Sequence, residues 1–136
     1  LGHWPSKAVT FVDNHDTGST QAHWPFPANR IMWGYAYILT HPGTPCVFWD
    51  HLYYDEDIRT AVEKLIEVRR RQDLHCRSSV EIVVAQVGLY AALVAGKVAV
   101  KIGPGDWSPN QAGCLGPEVH WKCAVSGPGF AVWEKM

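Results

Sequence analysis

A run of apolar, β-branched residues near the start of the sequence ends abruptly in a cluster of polar and ionisable side chains. The run covers residues 8–12 and the cluster covers residues 13–16, Asp-Asn-His-Asp. A short apolar run that stops at turn residues predicts a buried strand. In barrels of parallel strands, ligands bind at the C-terminal ends of the strands. The sequence therefore predicts that residues 13–16 lie at the functional end of a buried strand.

Strands and helices are predicted to alternate in the first half of the chain. We expect a strand over 8–12, a helix over 30–40, a second buried strand over 46–49 and a second helix over 57–72. The helices are predicted from apolar residues at helical spacing. This order implies parallel strands that are joined by right-handed crossovers.

The pattern changes after Asp73. Two hairpin turns, at 95–96 and 127–129, and a Gly- and Pro-rich loop over 103–116 separate the short predicted strands. These strands cover residues 80–84, 89–94, 97–102, 121–125 and 130–134. The second half of the chain is therefore predicted to be a small antiparallel β-domain.

Composition excludes several classes of protein. The chain has 136 residues, 47% hydrophobic and 18% charged, which is typical of a globular protein and not of a disordered one. A net charge of -1 gives no electrostatic reason to expect nucleic acid or an anionic membrane as a partner. No apolar run approaches the ~18–20 residues of a transmembrane helix. A complete parallel barrel needs roughly 200 to more than 400 residues, so we expect a C-terminal part of a longer protein.

The cysteines do not form a zinc-binding pattern. The sequence has four cysteines and no C-x-x-C pair. Cys46 lies in an apolar run and is expected to be an inert buried thiol. Cys114 and Cys123 are near enough in sequence to pair across a loop, and the sequence leaves their state open.

Residues 11–21, FVDNHDTGSTQ, closely resemble the last signature region of plant-type α-amylases of glycoside hydrolase family 13. The resemblance continues through 34–43 and 45–51, which are similar to the seventh helix and the eighth strand of that family's barrel, and through 98–103 and 131–135 in its terminal domain. It implies an α/β fold. Residues 1–73 would form the last two strand–helix units of a (β/α)8 TIM barrel, and residues 74–136 a C-terminal antiparallel β-sheet domain.

The resemblance also implies roles for individual residues of the signature. Asp16 matches the carboxylate that stabilises the oxocarbenium-like transition state, and His15 matches the residue that contacts the sugar at the cleavage point. Gln21, His23 and Trp24 would line the subsites for the leaving part of the glucan. Trp24 either stacks on a sugar or anchors the loop, and the sequence favours neither.

Other polar and aromatic residues are interpreted as structural. Asp13 and Asn14 are expected to brace the loop through backbone hydrogen bonds. Residues 50–51, at the end of the second strand, would shape the top of the barrel. Trp107 is interpreted as a loop anchor, with a sugar platform as the alternative. Residues 69–71, three arginines, are interpreted as a solvated helix end.

The activity that the resemblance implies is endo-hydrolysis of α-1,4-glucosidic bonds in starch and related glucans, with retention. The nucleophile and the general acid would come from earlier barrel strands, so this chain alone is expected to be inactive. The alternative is a catalytically inactive, truncated glucan-binding or structural fragment. A third hypothesis, an unrelated lectin-like β module, does not explain the strand end.

The family further implies structural Ca²⁺, with ligands outside this chain, so no metal-binding residue is assigned. The expected partner is starch or another α-glucan, without nucleic acid or membrane, and the full-length protein is expected to be a monomer. Residues 74–78 are more like those of plastid-type plant enzymes than those of secreted cereal enzymes. This favours a plastid location, with secretion as the alternative.

Overall fold

Two short parallel strands and three helices precede a five-stranded antiparallel sheet in a computed structural model that describes residues 3–18 and 21–136. Short 3₁₀ turns, Pro5–Lys7 and Ala28–Arg30, precede the first strand and the first helix. The elements are β1 (Val9–Thr10), α1 (Ile31–Thr40), β2 (Thr44–Pro45), α2 (Trp49–Tyr53), α3 (Glu56–Arg71), β3 (Val80–Gln86), β4 (Leu89–Val94), β5 (Val98–Ile102), β6 (Trp121–Gly127) and β7 (Phe130–Lys135).

The strands β1 and β2 are parallel and α1 connects them, as the sequence predicted. Val9 pairs with Thr44 and Thr10 with Pro45. The backbone N–H of Cys46 donates to the Thr10 carbonyl at 2.7 Å, and the ladder ends there. Both strands are much shorter than expected.

The second strand is not where the sequence predicted it. Residues 46–48 belong to no strand, and Trp49 already begins α2. The apolar residues 46–49 extend beyond the end of β1, and no other strand among the described residues pairs with them. Cys46 is correspondingly exposed, so the prediction of a buried thiol was wrong.

The helices α1 and α3 agree with the predicted helices to within a residue at each end. The carboxylate of Asp55 caps the N-terminus of α3 by accepting a hydrogen bond from the Ile58 N–H at 3.0 Å. Asp73, with φ of 52°, follows the helix end in the left-handed conformation typical of this position. Among the described residues, no helix combines the length and apolarity needed to cross a membrane.

All five predicted strands of the second half are present, and they form one sheet in the order β3-β4-β5-β7-β6 with every neighbour antiparallel. The turn between β4 and β5 places Ala95 and Gly96 at φ of 53° and 64°. Two consecutive positive φ angles define the turn type that matches the twist of a hairpin. The predicted antiparallel β-sheet domain is therefore confirmed.

The core lies between the sheet and the two longer helices. α1 and α3 pack on one face of the sheet, and this cluster contains Tyr35, Leu39, Leu65, Val68, Val94, Val98, Val100 and Val132. On the opposite face, Trp107 meets Trp133 edge-on at 5.8 Å and covers a smaller cluster. Trp107 is therefore a loop anchor, as interpreted from the sequence. Cys114 borders the smaller cluster, and both Cys114 and Cys123 are free thiols.

Arg69 is not part of a solvated helix end, contrary to the expectation. Its guanidinium donates hydrogen bonds to three backbone carbonyls around the end of α1. These belong to Leu39 (3.0 Å), His41 (2.9 Å) and Gly43 (2.9 Å). Arg69 lies four residues after the buried Leu65 and therefore on the inward face of α3. There it satisfies carbonyls that a helix end leaves without partners.

Two further polar contacts join the helical part to the sheet. Nε2 of the buried His41 lies 2.6 Å from the Tyr90 hydroxyl on β4, and its Nδ1 lies 3.0 Å from the Tyr37 carbonyl. The Arg71 guanidinium donates to both oxygens of Glu134 on β7, at 2.9 and 2.8 Å. The second contact also corrects the expectation that this arginine is only solvated.

Candidate functional site at the end of the first strand

The segment after β1 folds into a compact turn that its own side chains stabilise. The amide oxygen of Asn14 accepts hydrogen bonds from the backbone N–H groups of Asp16 (2.9 Å) and Thr17 (3.1 Å). The Asn14 carbonyl accepts from the Gly18 N–H at 2.9 Å. A short polar side chain that bonds the backbone two and three residues ahead favours a turn over strand continuation. Asn14 therefore braces the loop as the sequence predicted.

Asp13 is buried beneath this turn. One of its carboxylate oxygens, Oδ1, accepts hydrogen bonds from the Thr17 hydroxyl at 2.8 Å and from the Phe26 backbone N–H at 3.0 Å. The two donors lie at opposite ends of the loop that follows the strand. A single buried carboxylate therefore joins both ends of that loop, which confirms the bracing role of Asp13.

His15 and Asp16 lie side by side on the outer surface of the turn. The His15 Nε2 atom is 3.2 Å from Asp16 Oδ1, and the two side chains are 84% and 65% exposed. Asp16 thus presents acceptor oxygens and His15 a ring N–H donor to solvent at the strand end. The two aspartates of the motif, three residues apart, do not converge, since Asp13 faces inward and Asp16 outward.

The other predicted sugar-contacting residues lie on the exposed loop beyond the turn. Gln21 and His23 are exposed, and the His23 backbone N–H donates to the Asp16 carbonyl at 3.0 Å. Trp24 is 90% exposed, with φ of 54°. Trp24 therefore does not anchor the loop within the described residues. Phe26, two residues further on, is half-buried and packs against the core.

Sequence reasoning missed Tyr35 and underestimated His51. His51 Nε2 lies 3.5 Å from Asp13 Oδ2, and its Nδ1 lies 2.8 Å from the Tyr35 hydroxyl. Tyr35 counts in the sequence only as one of the regularly spaced residues of α1. His51 belongs to a predicted strand end. Their meeting depends on α2 turning back over the end of β1, which no local pattern indicates.

The hydrogen bonds fix the proton positions in this buried group. Burial raises the pKa of Tyr35 to about 12, so its hydroxyl keeps its proton. Nε2 of His51 faces the Asp13 carboxylate, which only accepts, so Nδ1 is left to accept from the Tyr35 O–H. The Phe48 N–H donates to the same Tyr35 oxygen at 3.2 Å. Burial also lowers the pKa of His51, an effect that the nearby Asp13 carboxylate partly offsets. The neutral imidazole therefore carries its proton on Nε2, facing Asp13.

No group of three or more His, Cys, Asp or Glu side chains in the described part of the chain could hold a metal ion. Calcium, whose ligands were expected outside this chain, therefore remains a prediction. A separate groove of about 600 Å³ lies between β1, α1 and the sheet, and its lining is mainly apolar. It includes Phe11, Phe26, Trp33, Tyr37 and Tyr90, and none of the five predicted catalytic or sugar-contacting residues lines it.

The fold and the strand-end turn together define a class of protein. Such a protein has a parallel strand–helix segment with an acidic turn, followed by an antiparallel sheet domain. Comparison with known proteins agrees with this layout. Residues 71–134 match the family model described as the α-amylase C-terminal β-sheet domain. A solved structure of an Anoxybacillus α-amylase superposes with a TM-score of 0.62 at 15% identity, over 94% of this chain and 38% of that one. That likeness concerns the fold.

Sequence comparison identifies the family. The chain is 54% identical to "Probable alpha-amylase 2" of Arabidopsis thaliana over 99% of its own length, and 51% identical to "Alpha-amylase 3, chloroplastic" of the same plant over 98%. It is 50% identical to "Alpha-amylase type B isozyme" of Hordeum vulgare over its whole length and 85% of that sequence. The chain belongs to the α-amylase family and is similar to its plant members. It spans 31% and 14% of the two Arabidopsis proteins.

Proposed function

We propose that the full-length protein is an endo-acting α-amylase that hydrolyses α-1,4-glucosidic bonds in starch and related glucans with retention. This chain would supply one of the three catalytic carboxylates, Asp16. The observation that carries the proposal is the exposed pair of His15 and Asp16, 3.2 Å apart on a braced turn at the C-terminal end of a parallel strand. Membership of the α-amylase family supports the class of reaction.

Asp16 suits the role of transition-state stabiliser. Cleavage of a glycosidic bond passes through an oxocarbenium-like state in which the sugar ring becomes positively charged. A fixed carboxylate that accepts hydrogen bonds from sugar hydroxyls stabilises that charge more than it stabilises the neutral substrate. His15 donates to a neighbouring hydroxyl, and its contact with Asp16 restrains both side chains.

The exposed loop residues fit a binding role beyond the cleavage point. Gln21 and His23 offer hydrogen-bonding groups, and Trp24 presents an indole ring that is almost fully exposed. Aromatic rings have apolar faces on which the carbon-bound hydrogens of a sugar pack. These three residues would contact the leaving part of the glucan.

The wider family assignments are proposals of the same kind. The parallel pair β1–β2 and the exposed side chains of Val9 and Phe11, 66% and 48% exposed, support a TIM barrel whose other strands lie beside this pair. Residues 1–73 would belong to that barrel and 74–136 to the sheet domain. Calcium would be bound outside this chain. We expect starch or an α-glucan, but neither nucleic acid nor a membrane, as the partner of a monomeric protein. A plastid location is supported by the name of one relative, with secretion as the alternative.

Steady-state kinetics of the full-length protein on one defined maltooligosaccharide test the proposal. We expect Asp16→Asn, which removes the charge with little change of shape, to lower kcat by on the order of 10²–10³ with a much smaller change in KM. The matched control is Asp106→Asn in the exposed loop after β5, which should leave kcat unchanged. A near-parental kcat for Asp16→Asn would refute the catalytic assignment.

The proposal and its alternative, a truncated fragment without activity of its own, share one prediction. No carboxylate of this chain matches the family's nucleophile or general acid, so the 136-residue chain is expected not to hydrolyse starch. The assay uses the purified chain on soluble starch, with the full-length protein in parallel. Hydrolysis by the chain that Asp16→Asn abolishes would contradict both this expectation and the requirement for other carboxylates.

A further inference from the structure

We propose that Tyr35 and His51 are positioning residues for the reaction at Asp16, which they influence through the buried carboxylate of Asp13. The inference rests on the proposed function. Three elements converge on that one carboxylate: the end of β1 carries it, α2 brings His51 to it, and α1 brings Tyr35 to His51.

The Asp13 carboxylate joins the two ends of the loop that carries the candidate site. Its Oδ1 atom accepts hydrogen bonds from the Thr17 hydroxyl and the Phe26 N–H. All five predicted catalytic and sugar-contacting residues lie within residues 15–24, either between these two contacts or next to them. The Thr17 hydroxyl also accepts the Asn14 N–H at 3.0 Å, which links the carboxylate to the turn itself. A rotation of the Asp13 side chain would therefore disturb both ends of the loop at once.

His51 restrains the other oxygen of that carboxylate. The distance of 3.5 Å between Nε2 and Asp13 Oδ2 exceeds that of a strong hydrogen bond, so the contact is mainly electrostatic. The imidazole ring is itself held in place. Tyr35 and Phe48 meet it edge-on, with interplanar angles of 87° and 86°, and the Tyr35 hydroxyl bonds its Nδ1.

Small displacements of a catalytic side chain have large effects on the reaction rate. A misplacement of about 1 Å of a catalytic group costs up to roughly 10²-fold in rate, because transition-state stabilisation depends on fixed geometry. Tyr35→Phe removes one hydroxyl from a buried ring and keeps the ring itself. It frees Nδ1 of His51 and loosens the restraint on Asp13. We expect kcat of the full-length protein to fall about tenfold, with KM changed by less than about threefold.

The experiment compares Tyr35→Phe with Tyr37→Phe in the full-length protein. Tyr37 lies on the same helix, and its hydroxyl donates no side-chain hydrogen bond within the described residues. The variant Tyr37→Phe should therefore keep the parental kcat. At position 51, His51→Gln retains a donor that can face Asp13, and we expect it to recover most of the kcat that His51→Ala loses. A parental kcat in Tyr35→Phe, or equal losses in the two His51 variants, would overturn the proposal.

A double variant separates positioning from a general loss of structure. If Tyr35 acts through Asp16, then Tyr35→Phe should change kcat by less than about twofold in the Asp16→Asn background, because the group to be positioned is already lost. Full additivity of the two effects would show that Tyr35 acts elsewhere and would overturn the inference.

Hydrogen exchange distinguishes failure of this inference from failure of the proposed function. If the parent does not hydrolyse α-glucans, the proposed function fails, and the restraint on the loop is still measurable as exchange in peptides that cover residues 14–26. We expect faster exchange there in Tyr35→Phe than in Tyr37→Phe. If the parent is active and Asp16→Asn is not, an unchanged exchange rate in Tyr35→Phe refutes only the positioning role.

Discussion

The two sheets that the described residues form differ in how their strands are paired. In the five-stranded sheet, hairpin turns and antiparallel ladders of five or six residue pairs join every strand to a neighbour within the chain. In the parallel sheet, two strands of two residues each share two pairs. β4 and β5 are largely buried, whereas Val9 of β1 is 66% exposed.

This difference shows which part of the molecule has few packing neighbours among the described residues. The antiparallel sheet buries its apolar residues against α1 and α3 in the main core cluster. The parallel pair leaves strand edges and apolar side chains open, a state that soluble proteins avoid. The candidate catalytic turn lies at the end of this two-stranded parallel sheet.

The largest expected difference is in local stability of the chain on its own. Because β1 has few contacts, amides of residues 8–13 should exchange with solvent faster than those of residues 89–102 by on the order of 10³. The measurement is hydrogen exchange followed by mass spectrometry, in which the antiparallel sheet serves as the internal reference. Equal protection of the two segments would show that the parallel pair is stable without further strands.

The burial of His41 makes the core sensitive to acid. Burial lowers the pKa of His41 to about 4, below the 6.5 of an unfolded chain, so between these values the unfolded state binds more protons. The free energy of unfolding should therefore be unaffected above pH 6.5 and fall by up to about 3 kcal/mol as the pH is lowered from 6.5 to 4. Urea unfolding at several pH values measures this.

His41→Gln should flatten most of that pH dependence, and His120→Gln, on an exposed loop, should leave it unchanged. The lowered pKa of His51 leaves a smaller dependence of the same sign. If the slope between pH 6.5 and 4 is the same with and without His41, the buried histidine is not its source.

Matched truncations compare the two sheets directly. Val100 of β5 is fully buried, and Val100→Ala should cost about 2 kcal/mol in the free energy of unfolding of this chain. Val9→Ala, the same change on β1, should stay within about 0.5 kcal/mol. In the full-length protein, Val9→Ala should instead become clearly destabilising, since further barrel strands would cover that side chain. A negligible effect there would count against the barrel.

The smallest effect is expected at the ion pair of Arg71 and Glu134. Hydrogen bonding to Arg71 lowers the pKa of Glu134 below its usual value, and the two-point geometry is favourable. The arginine is 55% exposed, so solvent weakens the pair, and Arg71→Ala should cost at most about 1 kcal/mol. The loss should shrink in high salt. A cost that exceeds 2 kcal/mol or is independent of salt would point to lost packing instead.

The sequence alone determined the elements whose cause is local. The hairpin at Ala95-Gly96, the two long helices and all five strands of the antiparallel sheet follow from turn chemistry and from the spacing of apolar residues. The strand-end signature at residues 11–21 likewise identified the family and the candidate residues. These features depend on residues that are only a few positions apart in the chain, so the amino-acid sequence itself contains the information that specifies them.

Only the tertiary structure decided which groups meet. Asp13 and Asp16 are the same residue type three positions apart, yet one is buried and the other exposed, because Asn14 turns the backbone between them. Arg69 was expected in solvent but donates to backbone carbonyls around the end of α1. Tyr35 reaches His51 across 16 residues through the return of α2. Contacts of this kind depend on how elements pack in three dimensions, and no periodicity along the chain encodes them.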